Sequence, residues 1–345
     1  MRKQFVMLDF YRFLAASGVV VYHFAAYNPG TALHGLVTEF GLFVDFFFIL
    51  SGFVIAYVYA DNVSTAAGVA TFLRRRIARV YPLHFATLMF YVIPVAILTL
   101  AHRPIPNPEK YSLSFVPYQL TMTQSWFGNG ALTFNHPAWS ISVEWAMYLA
   151  FPLLIWFRRL AGGWVILAAV VLGGAALGMF GDWESTAPLR AAPTFAIGVL
   201  IAMTFDRVKI SGAFWLGVSA FLAAVVLMVW GANLLGILVL FALSVFLTAN
   251  GQQQGQGTLF ERKGFKLLGE SSYSIYMLHT PILAIFINGI WSHLFGTSPQ
   301  IPIAYGVTLY FLIFVLSLLT FTYFENPMRI FLSGSSYARL ARRAS

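Results

Sequence analysis

Apolar and polar positions in this chain come in blocks rather than in the short alternations of an amphipathic fold. Ten apolar runs, over 8–26, 38–59, 82–101, 141–157, 163–181, 190–206, 211–230, 233–249, 273–295 and 302–324, are separated by polar or basic segments. A helix needs about 20 mostly apolar residues to cross a bilayer, and every run is close to that length. The pattern predicts an all-α, polytopic membrane protein of about ten transmembrane helices. The first run holds Asp9 and Arg12, and no small-residue cleavage site follows it. It is therefore expected to stay as the first span rather than leave as a signal peptide. Two connections depart from the simple pattern. His102 to Trp139 is longer than a connector needs, and loops of that length tend to be functional. The segment NGQQQGQGTLFERKG reads as a flexible Gln/Gly linker. No fixed-period repeat and no separate soluble domain is visible.

Composition sharpens this reading. Hydrophobic residues make up 59% of the 345 positions and charged ones 10%, where soluble domains carry roughly 25% charged residues; mean hydropathy is +0.76. There is no cysteine, which removes disulfide and thiolate chemistry. The net charge of +9 comes from basic clusters between the runs, a topology signal rather than a nucleic-acid patch. With the N-terminus inside, 17 Lys and Arg fall in inside segments and 3 in outside ones, Arg12 standing apart in the first run. The positive-inside rule then places both termini in the cytoplasm.

Ionisable groups at bilayer depth are costly and so are functional candidates. Arg12 and His23 bracket RFLAASGVVVYHF. Eleven residues at ~100° each bring both side chains to one helix face, ~16.5 Å apart along the axis. Either Arg12 snorkels and His23 bonds a neighbouring helix, or the two face a shared internal cavity. Glu144 in HPAWSISVEWAMYLAFP enters the fourth run from outside at a depth similar to His23. A His–Glu pair there would be either a general base with its orienting carboxylate or a structural ion pair. FLRRRIARVYPLHF carries Arg74, Arg75, Arg76 and Arg79 at the inner surface, where they suit several phosphates or anionic headgroups. Asp45 reads as a second partner for His23 or as a helix-end anchor. His279 in SYSIYMLHTPI reads as a packed core histidine of the inner half, and Glu325 as an ion-pair partner. No spacing of His, Asp or Glu reads as a metal site.

Taken together, Arg12 and His23, VDFFFILSGF, RRRIARVYP, WSISVEW, SYSIYMLH and FENP resemble the membrane-bound acyltransferase-three family, whose members O-acylate bacterial surface glycans and some small molecules. The resemblance implies one transmembrane acyltransferase domain over 1–345, a stand-alone form without a fused hydrolase-like domain, in the bacterial inner membrane. It implies acyl-CoA, usually acetyl-CoA, as co-substrate and a glycan or lipid-linked oligosaccharide as acceptor. His23 becomes the catalytic histidine and Glu144 the motif glutamate; Trp145 stands where many relatives have a second acidic residue. Arg12, Arg74 and Arg76 become contacts for the acyl-CoA phosphates, with Arg79 beside them. Asp45, Ser142 and the loop aromatics Trp126 and Trp139 are expected near the acceptor; an interfacial aromatic belt explains those rings equally well. A secondary transporter using intramembrane Arg, His and Glu for coupling is the alternative of a different class. Membrane-embedded glycan polymerases and ligases share the long outer loop without needing the arginines.

Overall fold

The structure, a computed structural model, describes residues 3–126, 130, 132–166, 168, 172, 174, 187–296 and 300–334. It is all-helical among those residues, with no strand. Ten helices matter for the site. They are α1 Val6–Ala25, α2 Phe43–Tyr59, α3 Ala66–Leu100, α4 Ala138–Ala161 and α5 Ala187–Thr204. They continue with α6 Ala213–Val229, α7 Leu234–Gln253, α8 Lys263–Leu283, α9 Ile303–Thr320 and α10 Asn326–Ser333. Among the described residues, six helical stretches are long and apolar enough to cross a membrane, and two shorter apolar helices lie at Pro188–Thr204 and Ala213–Val229. Most of the run expected at 163–181 lies outside the described residues.

Three helices run past the apolar runs that announced them: polar residues do not end a helix that a cap starts, or that buried side-chain hydrogen bonds hold beyond its apolar part. α3 starts at Ala66, where Thr65 caps it by accepting from Gly68 N, so the arginine segment is its first half and not a loop. α8 starts ten residues before its apolar run, at Lys263. α7 continues into the presumed linker as far as Gln253. There Asn250 is buried and donates to the carbonyls of Phe205 and Val208, both at 2.6 Å.

Close backbone approach sets the packing. A Cβ on Gly52 of α2 would lie 2.0 Å from the Phe195 carbonyl oxygen, and one on Gly198 of α5 2.0 Å from that of Ile49. Small residues that admit a neighbouring backbone are how helices pack in lipid, where no hydrophobic force separates helix from solvent. Gly269 likewise brings α8 onto Asp9 of α1. Around these contacts Tyr11 stacks on Phe221 at 4.3 Å, and its hydroxyl meets that of Thr248 at 3.1 Å. The segment before α4 folds into a cap over one end of the bundle. His84 Nε2 donates to Gln119 O at 2.8 Å, Gln124 donates to Ala138 O at 3.0 Å, and Asn135 donates to Met277 O at 3.2 Å.

Candidate active site

Two cavities are lined in part by α1 and α8. The larger, of about 810 Å³, is lined by Arg12, Arg74, Arg75, Arg76, Arg79 and Arg329 at one end and by Ser140, Ile141, Glu144 and Tyr276 at the other. The smaller, of about 80 Å³, is lined by His23, Tyr27, Tyr91, Lys110, Tyr111 and His136, with Thr280 of α8. Tyr276 faces the first cavity and Thr280 the second, so about one helical turn of α8 divides them. In that wall the Tyr276 hydroxyl meets Ser140 Oγ at 2.8 Å and donates to Pro137 O at 3.3 Å.

The arginines arrive from α1, α3 and α10. Arg12 binds Asp9 at 2.8 Å and faces the cavity. Arg74, Arg75 and Arg76 leave α3 about 100° apart, but their long stems converge on the same space. Arg76 donates to the Tyr59 hydroxyl at 3.3 Å and lies over the rings of Tyr59 and Tyr148, while its Nε is buried without a partner. Arg79 is held by buried Glu325, which also accepts from Ser274 Oγ at 2.6 Å. Glu325 is thus paired as the sequence suggested, and Arg79 has the least charge left over.

Five expectations need correcting. Glu144 does not join His23: its Oε1 accepts from Ser51 Oγ at 2.5 Å, and it faces the arginine cavity. Four residues of helix, about one turn, carry it past the wall residue Ser140 into that cavity. Asp45 does not reach His23 either. Arg190 binds both its oxygens, at 3.1 and 2.5 Å, which makes it an interhelical anchor lining neither cavity. Ser142 is fully buried; its Oγ accepts from Ser125 N at 3.1 Å, and its carbonyl accepts from Trp126 Nε1 at 2.9 Å. Those bonds fasten the cap to α4. Trp139 is buried beneath the Arg190 guanidinium. Arg12 and His23 share a helix face but open into different cavities.

The structure gives His23 imidazole neighbours instead of a carboxylate. Its ring centroid lies 5.1 Å from His136 and 5.0 Å from His279. His279, expected as a packed core histidine of the inner half apart from His23, lies beside it instead, on a helix that starts ten residues before its apolar run. His136 was in plain sight before Pro137 without being singled out; what marks it is folding of the cap. Phe134 N donates to Lys110 O at 3.2 Å, and Thr280 Oγ1 donates to Asn135. Phe134, an aromatic residue at φ 55°, turns the chain here, the kind of backbone strain found at functional sites. Lys110 lies near Tyr111, 5.5 Å from the ring centroid, and among the described residues it forms no ion pair. Burial first, and the Lys110 charge second, push His136 down to about 4; burial lowers Lys110 itself. The cavity lining contains no carboxylate. A neutral imidazole surrounded by hydroxyls and one cation can take a proton from a bound hydroxyl.

Comparison with known proteins places the chain among acyltransferases. Acyltransferase MdmB of Streptomyces mycarofaciens is 40% identical over 155 residues, covering 43% of this chain and 38% of that protein. O-acetyltransferase OatA of Staphylococcus aureus is 22% identical over 361 aligned positions, covering 93% of this chain and 57% of OatA. Protein 2 in the picA locus of Rhizobium radiobacter is 34% identical over 162 residues, covering 41% of this chain and 78% of that protein. The chain thus spans well under two thirds of the length of MdmB and OatA. No solved structure matches. The family model described as "Acyltransferase domain", type 3, matches residues 5–322, a range holding the arginines of α1 and α3, Glu144 and all three clustered histidines; the chain belongs to that acyltransferase family.

Proposed function

We propose that this protein is an integral-membrane O-acyltransferase that moves an acyl group, acetyl in the first instance, from cytoplasmic acyl-CoA to a hydroxyl of an extracytoplasmic or lipid-linked glycan. The observation that carries this reading is the pair of cavities, one lined by arginines and the other by histidines, parted by a single turn of α8. The orphaned Arg76 Nε and the five other guanidiniums of the large cavity fit the phosphates of a CoA thioester, since guanidinium forks bind them bidentately. Ten spans, with the arginine end and both termini in the cytoplasm, complete the arrangement in a plasma membrane of a bacterial cell.

On this reading Arg12, Arg74 and Arg76 hold the phosphates, with Arg79 beside them. The large cavity leads the thioester arm past Glu144, a hydrogen-bond acceptor for its amide groups, to the Tyr276–Ser140 wall. Displacement of that wall admits the thioester to His23. His23 takes the acceptor's hydroxyl proton as the oxygen bonds to the thioester carbonyl carbon. The carbon–sulfur bond then breaks, and the leaving thiolate takes the proton from His23. Tyr27, Tyr91, Tyr111 and Phe134 are the rings left to stack on an acceptor sugar, in place of Trp126 and Trp139.

Purified protein incubated with radiolabelled acetyl-CoA and a candidate glycan provides the test. Label appearing on the glycan supports acyl transfer. Label crossing vesicles with no covalent product would instead support a transporter. Mass spectrometry of surface glycans from a deletion strain identifies the acceptor.

A further inference from the structure

His279 presents a geometry that the proposed chemistry has not used. It is fully buried on α8, and its Nδ1 lies 2.7 Å from Tyr276 O. A carbonyl oxygen only accepts, so Nδ1 carries the proton and, in the neutral ring, Nε2 is left with a lone pair. That Nε2 is buried and has no hydrogen-bond partner, a condition that costs about 1–3 kcal/mol unless a function retains it. The ring next to it is His23, with centroids 5.0 Å apart and planes inclined by 38°.

From these facts we infer that His279 is the positioning residue for His23: when an acceptor binds, the His23 ring turns to donate its N–H to the unpartnered His279 Nε2, which holds the opposite nitrogen toward the acceptor hydroxyl. The inference rests on the acyltransferase reading and assigns within it the orienting role that Glu144 was expected to fill. Every other titratable group facing His23 is a poorer candidate. Tyr22 is its neighbour on α1, Tyr27 follows that helix, His136, Lys110 and Tyr111 come from the cap, and Tyr91 comes from α3. None is a carboxylate; Lys110 can only donate, and His136 lines the open cavity, where the acceptor arrives. The Tyr276 carbonyl, itself fixed in α8, plays toward His279 the part that an orienting carboxylate plays toward a catalytic histidine elsewhere. Its residue also supplies the hydroxyl of the wall between the cavities.

The test compares His279→Leu with His279→Gln in the full-length detergent-purified protein. Because the chain holds no cysteine, a thiol reagent counts only CoA released from acetyl-CoA. In His279→Leu, acyl transfer should fall about 100-fold in kcat, in line with the worth of a positioned general base, while acetyl-CoA affinity at the arginines is unchanged. His279→Gln, whose side-chain oxygen restores an acceptor near the Nε2 place, should recover at least about 10-fold of that loss, a rescue that mere filling of space does not give. Equal rates in Leu and Gln variants of wild-type melting temperature would overturn the inference. So would a full rate in His279→Leu while His23→Ala is inactive. A fully active His23→Ala would instead remove the acyltransferase reading of His23 itself, so the two failures are distinguishable.

Discussion

At the residue scale, the decisive feature is that a charged or titratable side chain here is defined by which cavity it faces. His23→Ala should reduce acyl transfer at least about 100-fold, read as CoA release, and a variant retaining the full rate would show that another group removes the proton. Arg74→Ala with Arg76→Ala should weaken CoA binding by more than about 100-fold, since each charge-assisted hydrogen bond is worth about 1.5–3 kcal/mol. Isothermal titration with CoA measures this, and unchanged affinity would move the docking site elsewhere. His136 supplies a pH dependence whose sign follows from its low value. Folded, it loses its proton near pH 4, while an unfolded histidine does so near pH 6.5. The unfolded chain therefore binds more protons between those values, and this contribution leaves stability intact above about 6.5 and removes it progressively as pH falls toward 4. A thermal melt series on wild type and His136→Gln should show a shallower acid loss in the variant.

At the element scale, the same helices that build the core explain the motifs. The glycine of VDFFFILSGF serves the α2–α5 contact: Gly52→Leu must push against the Phe195 carbonyl and should lower the melting temperature sharply, whereas Gly35→Leu, with open space around it, should not. The aspartate of the same motif anchors Arg190. Asp45→Ala leaves a cation without its partner, a loss of about 3–5 kcal/mol when such a pair is buried, and it should appear as reduced stability with the CoA affinity intact. The apolar runs made most helices legible in the sequence, because hydropathy reports directly which stretches lipid can accept. Helix ends were not legible where a helix runs on into polar sequence, as at Ala66, Lys263 and Gln253. That is why His279 was not expected beside His23. His23 and the arginines stood out, since charge in an apolar run has no cheap explanation. His136 and Lys110 did not, because nothing local marks a loop histidine or lysine whose place depends on the cap closing over α8. Glu144 was visible, but its partner Ser51 lies on α2, and no spacing within α4 could reveal that pairing.

At the scale of the whole molecule, the proposed function divides the labour across a membrane. It gives the wide basic cavity of about 810 Å³ to a large anionic donor and the small cavity of about 80 Å³ to the reacting hydroxyl. Between them stands the Tyr276–Ser140 wall, so only the acyl end of a donor need pass, while the charged end stays with the arginines. The measurement that tests this claim most directly uses vesicles that contain the protein and enclose the acceptor glycan, with radiolabelled acetyl-CoA supplied outside to molecules whose arginine end faces out. The account predicts label on the enclosed glycan, with an equal amount of free CoA thiol appearing outside. Free CoA accumulating inside the vesicles, or glycan acetylated only when it shares a side with acetyl-CoA, would contradict it.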